Sequence, residues 1–255
     1  MRKLKILCLH GLGGSGRIMK KQMIGIINNH SYNVYDSDNQ TIVEQKKTDS
    51  NYIFYFINAP FKIVQIDYEQ MKLIDRELLL WHPQSVNNYY YWYDLRSGFT
   101  DDKYDASIRY LREIIPKYDM IIGFSQGAAM ATICLKEKLI NDIVLICCPF
   151  VQMTNFYDSD FNHDYRALHV FGSDDQINKS SLEGNITEFH SMDVHRRLFN
   201  MNAFSNKISI FIGDHNIPRI IPFNIPKYKT MKKSQEESIE MIEEFMKDCY
   251  KRITV

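Results

Sequence analysis

Tyr118-Asp119-Met120-Ile121-Ile122-Gly123-Phe124-Ser125-Gln126-Gly127-Ala128-Ala129-Met130-Ala131 joins a short apolar run to a row of small residues through the pentapeptide G-x-S-x-G. The order reads as strand, sharp turn and helix, and such a turn lifts the Ser125 hydroxyl clear of the sheet edge. Gly123 and Gly127 have no Cβ, so backbone segments can crowd together on both sides of the serine. Ala128, Ala129 and Ala131 let the helix approach the sheet closely. The helix N-terminus offers free N–H groups and a partial positive charge to a developing oxyanion. A solvated serine in an ordinary Gly-rich turn would require none of this flanking pattern. Ser125 is the candidate nucleophile.

Working outward, apolar and β-branched runs recur at Leu4–His10, Ile53–Ala59, Met120–Gly123, Ile143–Cys148, Leu168–Phe171 and Ile208–Ile212. Each is short, nearly continuous and bounded by turn residues, as in strands buried on both faces of a parallel sheet. Helical patterns lie between several of them. Ala106–Ile115 aligns Ile108, Leu111, Ile114 and Ile115, and Pro116 stops it. Gln126–Lys138 reads as the helix after the elbow. Ser234-Gln235-Glu236-Glu237 has the form of a capping box, which predicts a last helix starting there with Ile239, Ile242, Phe245, Met246 and Cys249 as its stripe. Alternating strands and helices imply an α/β class: a doubly wound, mostly parallel sheet of about six strands flanked by helices.

No internal repeat or linker divides the chain, so residues 1–255 are expected to form a single domain. Within it, 28–51 is rich in Asn, Asp, Gln and Lys and reads as a polar insertion. Segments 81–100 and 216–233 are irregular and read as lid candidates, the second punctuated by Pro218, Pro222 and Pro226.

The bulk properties exclude several classes. The 255 residues are 45% hydrophobic and 24% charged, with 31 basic and 31 acidic side chains. A net charge of zero gives no support for nucleic acid or an anionic membrane as the main partner. No apolar run reaches the roughly 18–20 residues of a membrane helix, so stable membrane insertion is not expected. The Met1–Lys5 start followed by Ile6–Leu9 has a leader-like order, but His10-Gly11 ends the apolar run too early. The five cysteines have neither framework nor zinc-ligand spacing, and they read as buried reduced thiols in a cytoplasmic protein. Oligomeric state is not legible.

The first strand leads into His10-Gly11-Leu12-Gly13-Gly14-Ser15-Gly16. This loop lacks the Lys-Ser/Thr of a phosphate loop and the G-x-G-x-x-G spacing of a dinucleotide fingerprint. As a turn beside Ser125 it could instead aim the Leu12 N–H, together with the Gln126 N–H, at a carbonyl oxygen. Those two residues are the candidate oxyanion hole, and His10 is expected to brace the loop.

These pieces resemble the FSH family of eukaryotic serine hydrolases within the α/β-hydrolase superfamily. The resemblance rests on Ile6–Gly11, Asn58-Ala59-Pro60, Tyr104–Ile115, Gly123–Ala131, Leu168–Asp175 and Gly213–Pro218. The acyl-protein thioesterase and carboxylesterase family is also similar, at His10–Gly13, Trp92–Leu95 and Gly123–Gly127, although Ala128 stands where that family usually has a second glycine. Both resemblances imply the α/β-hydrolase fold and hydrolysis of esters or thioesters of small or acyl-chain substrates, with no cofactor.

In this fold the triad runs Ser, then Asp or Glu, then His. The resemblance puts the acid three residues after Gly172, which selects Asp175 over Asp174. Among His190, His195 and His215, only His215 directly follows a good strand, in Gly213-Asp214-His215-Asn216-Ile217-Pro218. That matches the family's G-x-H-x-I-P ending. Asp193-Val194-His195 and Asp214-His215-Asn216 are fragments of metallophosphoesterase motifs, but they crowd into the last quarter of the chain, so no metal site is expected. Cys147 and Cys148 sit in a buried-strand pattern and read as packing thiols. Trp81, Trp92 and Tyr93, in an aromatic-rich stretch, are candidate walls of an acyl pocket. Two other readings stay open: a depalmitoylase-like acyl-protein thioesterase, and a non-catalytic binding protein that keeps the fold.

Overall fold

A computed structural model of the chain describes residues 2–36, 38–63, 89–94, 102–148, 165–175, 206–213, 216–218 and 229–254. The first apolar run becomes β1 (Leu4–Leu9), and α1 (Gly16–Gln22) and α2 (Ile24–Ile27) follow. Next come β2 (Ser31–Tyr35), β3 (Ile42–Lys46), β4 (Tyr52–Phe56) and a small hairpin of β5 (Phe61–Lys62) with β6 (Tyr90–Tyr91). Helix α3 (Asp102–Ile114) ends in a 3-10 turn, Ile115–Lys117, where Pro116 stops it. Then β7 (Met120–Phe124), α4 (Gln126–Lys136), β8 (Asp142–Ile146), β9 (Arg166–Gly172), β10 (Asn206–Phe211) and α5 (Lys229–Thr254) complete the described elements.

The main sheet has the order β10-β9-β8-β7-β1-β4-β2-β3, parallel throughout except for the antiparallel β2–β3 pair. All six expected strands are present. The two further strands, β2 and β3, come from the stretch expected as a polar insertion, and they extend one edge of the sheet. Their polarity concealed them. Asn33 is buried in β2, and its side-chain oxygen accepts from Gln45 Nε2 across the pair at 2.6 Å.

Both faces of the central strands are covered, which is why their sequences are apolar at consecutive positions. Leu7 and Leu9 of β1 face one layer, with Ile108 and Leu111 of α3 and Met130 and Ile133 of α4. Ile6 and Cys8 face the other, with Met19 of α1, Ile26 of α2 and Ile239, Ile242 and Phe245 of α5.

Helix α5 begins at Lys229, five residues before the expected capping box. Ser234 is inside the helix. Its hydroxyl donates to the Met231 carbonyl at 2.9 Å and accepts from the Ile212 N–H at 2.9 Å. Gln235 Nε2 donates to the Ile212 carbonyl at 3.0 Å. The helix therefore grips both backbone groups of the residue just after β10, and so fixes where the chain leaves the sheet.

Candidate active site

Helix α4 follows β7 with a single residue between them. That residue, Ser125, has φ 50° and ψ −119°, a conformation that costs a non-glycine residue on the order of 1–3 kcal/mol. Hydrogen bonds hold it there. The Ser125 N–H donates to the Ile146 carbonyl of β8 at 2.9 Å, and the Ser125 carbonyl accepts from the Ala128 and Ala129 N–H groups at 2.9 and 3.1 Å. The motif glycines are needed for close approach. A Cβ on Gly123 would lie 2.5 Å from the Gly127 carbonyl oxygen, and one on Gly127 would lie 2.1 Å from that of Leu9. Gln126 opens the helix, where the first N–H groups have no intrahelical acceptor.

The strand order gives this position its meaning. β1 lies between β4 and β7, so the chain crosses from β1 to one side and then to the other. A crevice at the carboxyl ends of the strands forms at such a switch point. Ser125 follows β7, and the loop after β1 lies beside it: a Cβ on Gly11 would be 3.0 Å from Ser125 Cβ. Gly11–Gly14 is a tight turn. The Gly14 N–H donates to the Gly11 carbonyl at 3.0 Å, and Gly13 supplies the positive φ of 67° that its third position requires. Tyr90 clamps the turn, donating to the Gly14 carbonyl at 2.9 Å and accepting from the Gly13 N–H at 3.0 Å. None of these bonds uses the Leu12 N–H.

His10 braces the site through both ring nitrogens. The Ala59 N–H can only donate, so Nε2 accepts it at 2.9 Å, and the ring proton at Nδ1 goes to the Gly11 carbonyl at 2.7 Å. Burial pushes the His10 pKa down to about 4, and the imidazole is neutral at pH 7.

The Gln126 side chain has a role that sequence reading, which selected this residue for its N–H, missed. Its Oε1 accepts from the Trp92 N–H at 2.8 Å and its Nε2 donates to the Tyr93 carbonyl at 2.7 Å. Trp92 Nε1 donates to the His10 carbonyl at 2.9 Å, and the Ser107 hydroxyl donates to the Trp92 carbonyl at 2.6 Å. Trp92 and Tyr93, expected as pocket walls, instead present no surface to solvent; both belong to the core beneath α4. Their peptide groups are consumed in fixing the loop, which is why they pack inward. Only the spacing to a residue 34 positions away carries this pairing, and no local pattern reveals it.

On the other side of Ser125, the turn after β9 carries both candidate acids. Asp174 is exposed, and its side chain accepts from the Ser173 hydroxyl at 3.1 Å. Asp175 is 3% exposed. Backbone bonds join this turn to the end of β10: Ser173 N–H to Phe211 carbonyl and Asp174 N–H to Gly213 carbonyl, both 2.8 Å. The turn after β9 and the chain at the end of β10, up to Gly213, are thus fastened together. His215 itself lies outside the described residues, as do Trp81 and most of the two lid candidates. Among the described residues no three His, Cys, Asp or Glu side chains gather as metal ligands, and no helix is long and apolar enough to cross a membrane.

The mostly parallel sheet, with its strained serine turn at the carboxyl edge, defines a protein of the α/β-hydrolase fold. A model of the serine hydrolase (FSH1) family matches residues 1–225. The chain belongs to that family and is a hydrolase enzyme. Solved structures agree on the fold. SOBER1 of Arabidopsis thaliana is 16% identical and superposes with a TM-score of 0.57, over 97% of this chain and 99% of that one. Esterase PE8 is 13% identical with a TM-score of 0.54, over 96% and 93%. TT1662 from Thermus thermophilus is 11% identical with a TM-score of 0.52, over 96% and 90%. No curated protein matches the chain by sequence.

Proposed function

We propose that this enzyme hydrolyses carboxylic esters or thioesters of small or acyl-chain substrates through an acyl-enzyme on Ser125, with Asp175 and His215 completing the triad. The observation that carries the reading is the strained Ser125 elbow, flanked at the same sheet edge by the glycine turn and by the buried Asp175. Membership of a serine hydrolase family supports it, as does the esterase name of a structural neighbour.

In this reading, neutral His215 takes the Ser125 Oγ proton as Oγ attacks the acyl carbonyl carbon. The Leu12 and Gln126 N–H groups receive the oxygen as it becomes negative. When the intermediate collapses, the leaving alcohol or thiol departs with the proton from His215. Water, deprotonated by the same histidine, then attacks the acyl-serine, and the histidine returns that proton to Ser125 Oγ as the carboxylic acid is released. Asp175 fixes the histidine tautomer and stabilises its cation. The chemistry draws on no cofactor.

The test is a chain-length series of oxygen esters with matched thioesters, run on the wild type and on His215→Ala. Turnover of one or both series is expected, rising with pH through about 6.5 as the imidazole loses its proton, and lost in the variant. Full activity in His215→Ala, or activity that depends on an added divalent metal, overturns the assignment.

A further inference from the structure

The hairpin of β2 and β3 closes its turn with its own hydrogen bonds. The Asp36 N–H donates to the Thr41 carbonyl at 2.9 Å, and the Asp36 carboxylate accepts from the Gln40 and Thr41 N–H groups at 3.1 and 3.2 Å. The Asn39 side chain reaches instead to Asn58, 19 positions along the chain: its Oδ1 accepts from the Asn58 N–H and its Nδ2 donates to the Asn58 carbonyl, both at 2.7 Å. A side-chain amide carries a donor and an acceptor as a peptide does, so Asn39 supplies what a neighbouring strand would supply. The ladders of β4 end at Phe56 on both sides, and Asn58 lies beyond them, 4% exposed. Asn39 has φ 60°, a conformation that asparagine tolerates better than most residues with a side chain. The Asn58 side chain is committed too: Oδ1 accepts from the Gly16 N–H at 2.9 Å, and Nδ2 donates to the Asp36 carbonyl. The next residue, Ala59, donates its N–H to His10 Nε2, and His10 Nδ1 donates to the Gly11 carbonyl. A continuous series of bonds thus runs from the hairpin to the turn that holds Leu12.

We propose that Asn39 is a positioning residue for the oxyanion turn. Its amide fixes Asn58 and hence the Ala59 N–H, which orients the His10 ring and its bond to Gly11, and so sets where the Leu12 N–H points. The proposal rests on the oxyanion role read above for Leu12 and adds to it a residue that acts only through His10. A ring with both nitrogens committed has one orientation. If the Ala59 N–H shifts, Nε2 loses its donor and the ring loses one of its two anchors. Stabilisation of the oxyanion depends on where the N–H stands as the charge develops, so a small drift lowers kcat while ground-state binding changes little. The polar hairpin then serves catalysis as well as extending the sheet.

The test measures kcat and KM for p-nitrophenyl acetate in Asn39→Gly and Asn39→Asp, with thermal unfolding of each. Glycine adopts the positive φ without a Cβ penalty and removes the amide. Aspartate is isosteric and keeps the acceptor for the Asn58 N–H, but it sets an oxygen against the Asn58 carbonyl. Both variants should melt at lower temperature, so kcat is read well below the transition. The expected result is a kcat roughly tenfold lower in both, with KM within about twofold. Combined with His10→Asn, which keeps a donor near the place of Nδ1 and lacks Nε2, Asn39→Gly should cost nothing further in kcat. Unchanged kcat in either variant, a KM change as large as the kcat change, or additive losses with His10→Asn overturn the positioning role. The oxyanion reading fails separately, if Leu12→Pro leaves kcat intact: proline suits the second place of a turn whose third residue has positive φ, and it removes that N–H.

Discussion

Ser125 and Cys147 occupy matching places in the sheet: each is the residue after the paired strand ends Phe124 and Ile146, and each has positive φ, 50° and 48°. The Ser125 N–H donates to the Ile146 carbonyl, the peptide group that leads into Cys147. Neighbouring parallel strands thus both turn sharply at the carboxyl edge, one presenting a hydroxyl and the other a thiol. Two adjacent strained positions persist only where the surrounding hydrogen bonds determine them, and such positions concentrate at functional sites.

Ser125→Ala is expected to abolish labelling by a fluorophosphonate probe and to lower ester kcat at least about 10³-fold, since removing a nucleophile disables the triad as a unit. Peptide mapping of the labelled wild type should find the adduct on Ser125. An adduct on another serine, with the variant fully active, would show that the elbow serves something else.

Gly127→Ala should be poorly tolerated. The new Cβ would meet Leu9 O at 2.1 Å, Leu9 C at 2.5 Å and His10 O at 2.6 Å, all backbone atoms of a central strand and its end. A loss of more than about 2 kcal/mol in urea unfolding is expected. Gly11→Ala meets only the side chains of Ser125 and Phe124, at 3.0 Å and beyond, and should cost less. The reverse ranking would contradict the close approach of α4 to β1.

Gln126→Ala separates the side chain from the N–H. It leaves the Trp92 N–H and the Tyr93 carbonyl without the partners they now have in the core, a cost of about 2–4 kcal/mol for two such groups. The backbone N–H at the start of α4 is retained. The variant should therefore unfold at lower urea concentration yet still label at Ser125. Complete loss of labelling in folded protein would mean that the side chain acts on the reaction itself.

Acid should weaken the fold before the carboxylates titrate. The folded pKa of His10, about 4, lies below the unfolded value near 6.5, because burial disfavours the cation. Between those values the unfolded chain binds more protons, so stability is fully present above about pH 6.5 and declines as pH falls toward 4. The full window is worth about 3 kcal/mol for His10. His169, buried and lowered to about 3, contributes with the same sign. Urea unfolding at pH 7.5, 6.5 and 5.5 reads this directly. Identical free energies at all three would mean that these imidazoles titrate in the fold as they do in the unfolded chain.

The sequence by itself determined the six central strands, the helix after the elbow and the sharp turn at Ser125 between strand and helix. Those features are local: an apolar run, two glycines and a row of alanines are sufficient to specify them. It also indicated the loop after β1 and the segment 172–175, because turn residues follow strands there. Three things were decided only by tertiary structure. Within 28–51, Ser31–Tyr35 and Ile42–Lys46 became strands because polar side chains find partners across them, as Asn33 does with Gln45, which composition did not show. Trp92 and Tyr93 turned inward because Gln126 fixes their backbone from a distant helix. The start of α5 moved to Lys229 because the Ser234 hydroxyl had a better partner at Ile212 than at a helix end. In each case a hydrogen-bonding group was satisfied by a residue more than ten positions away, and a pairing at that range leaves no periodicity for a sequence to display.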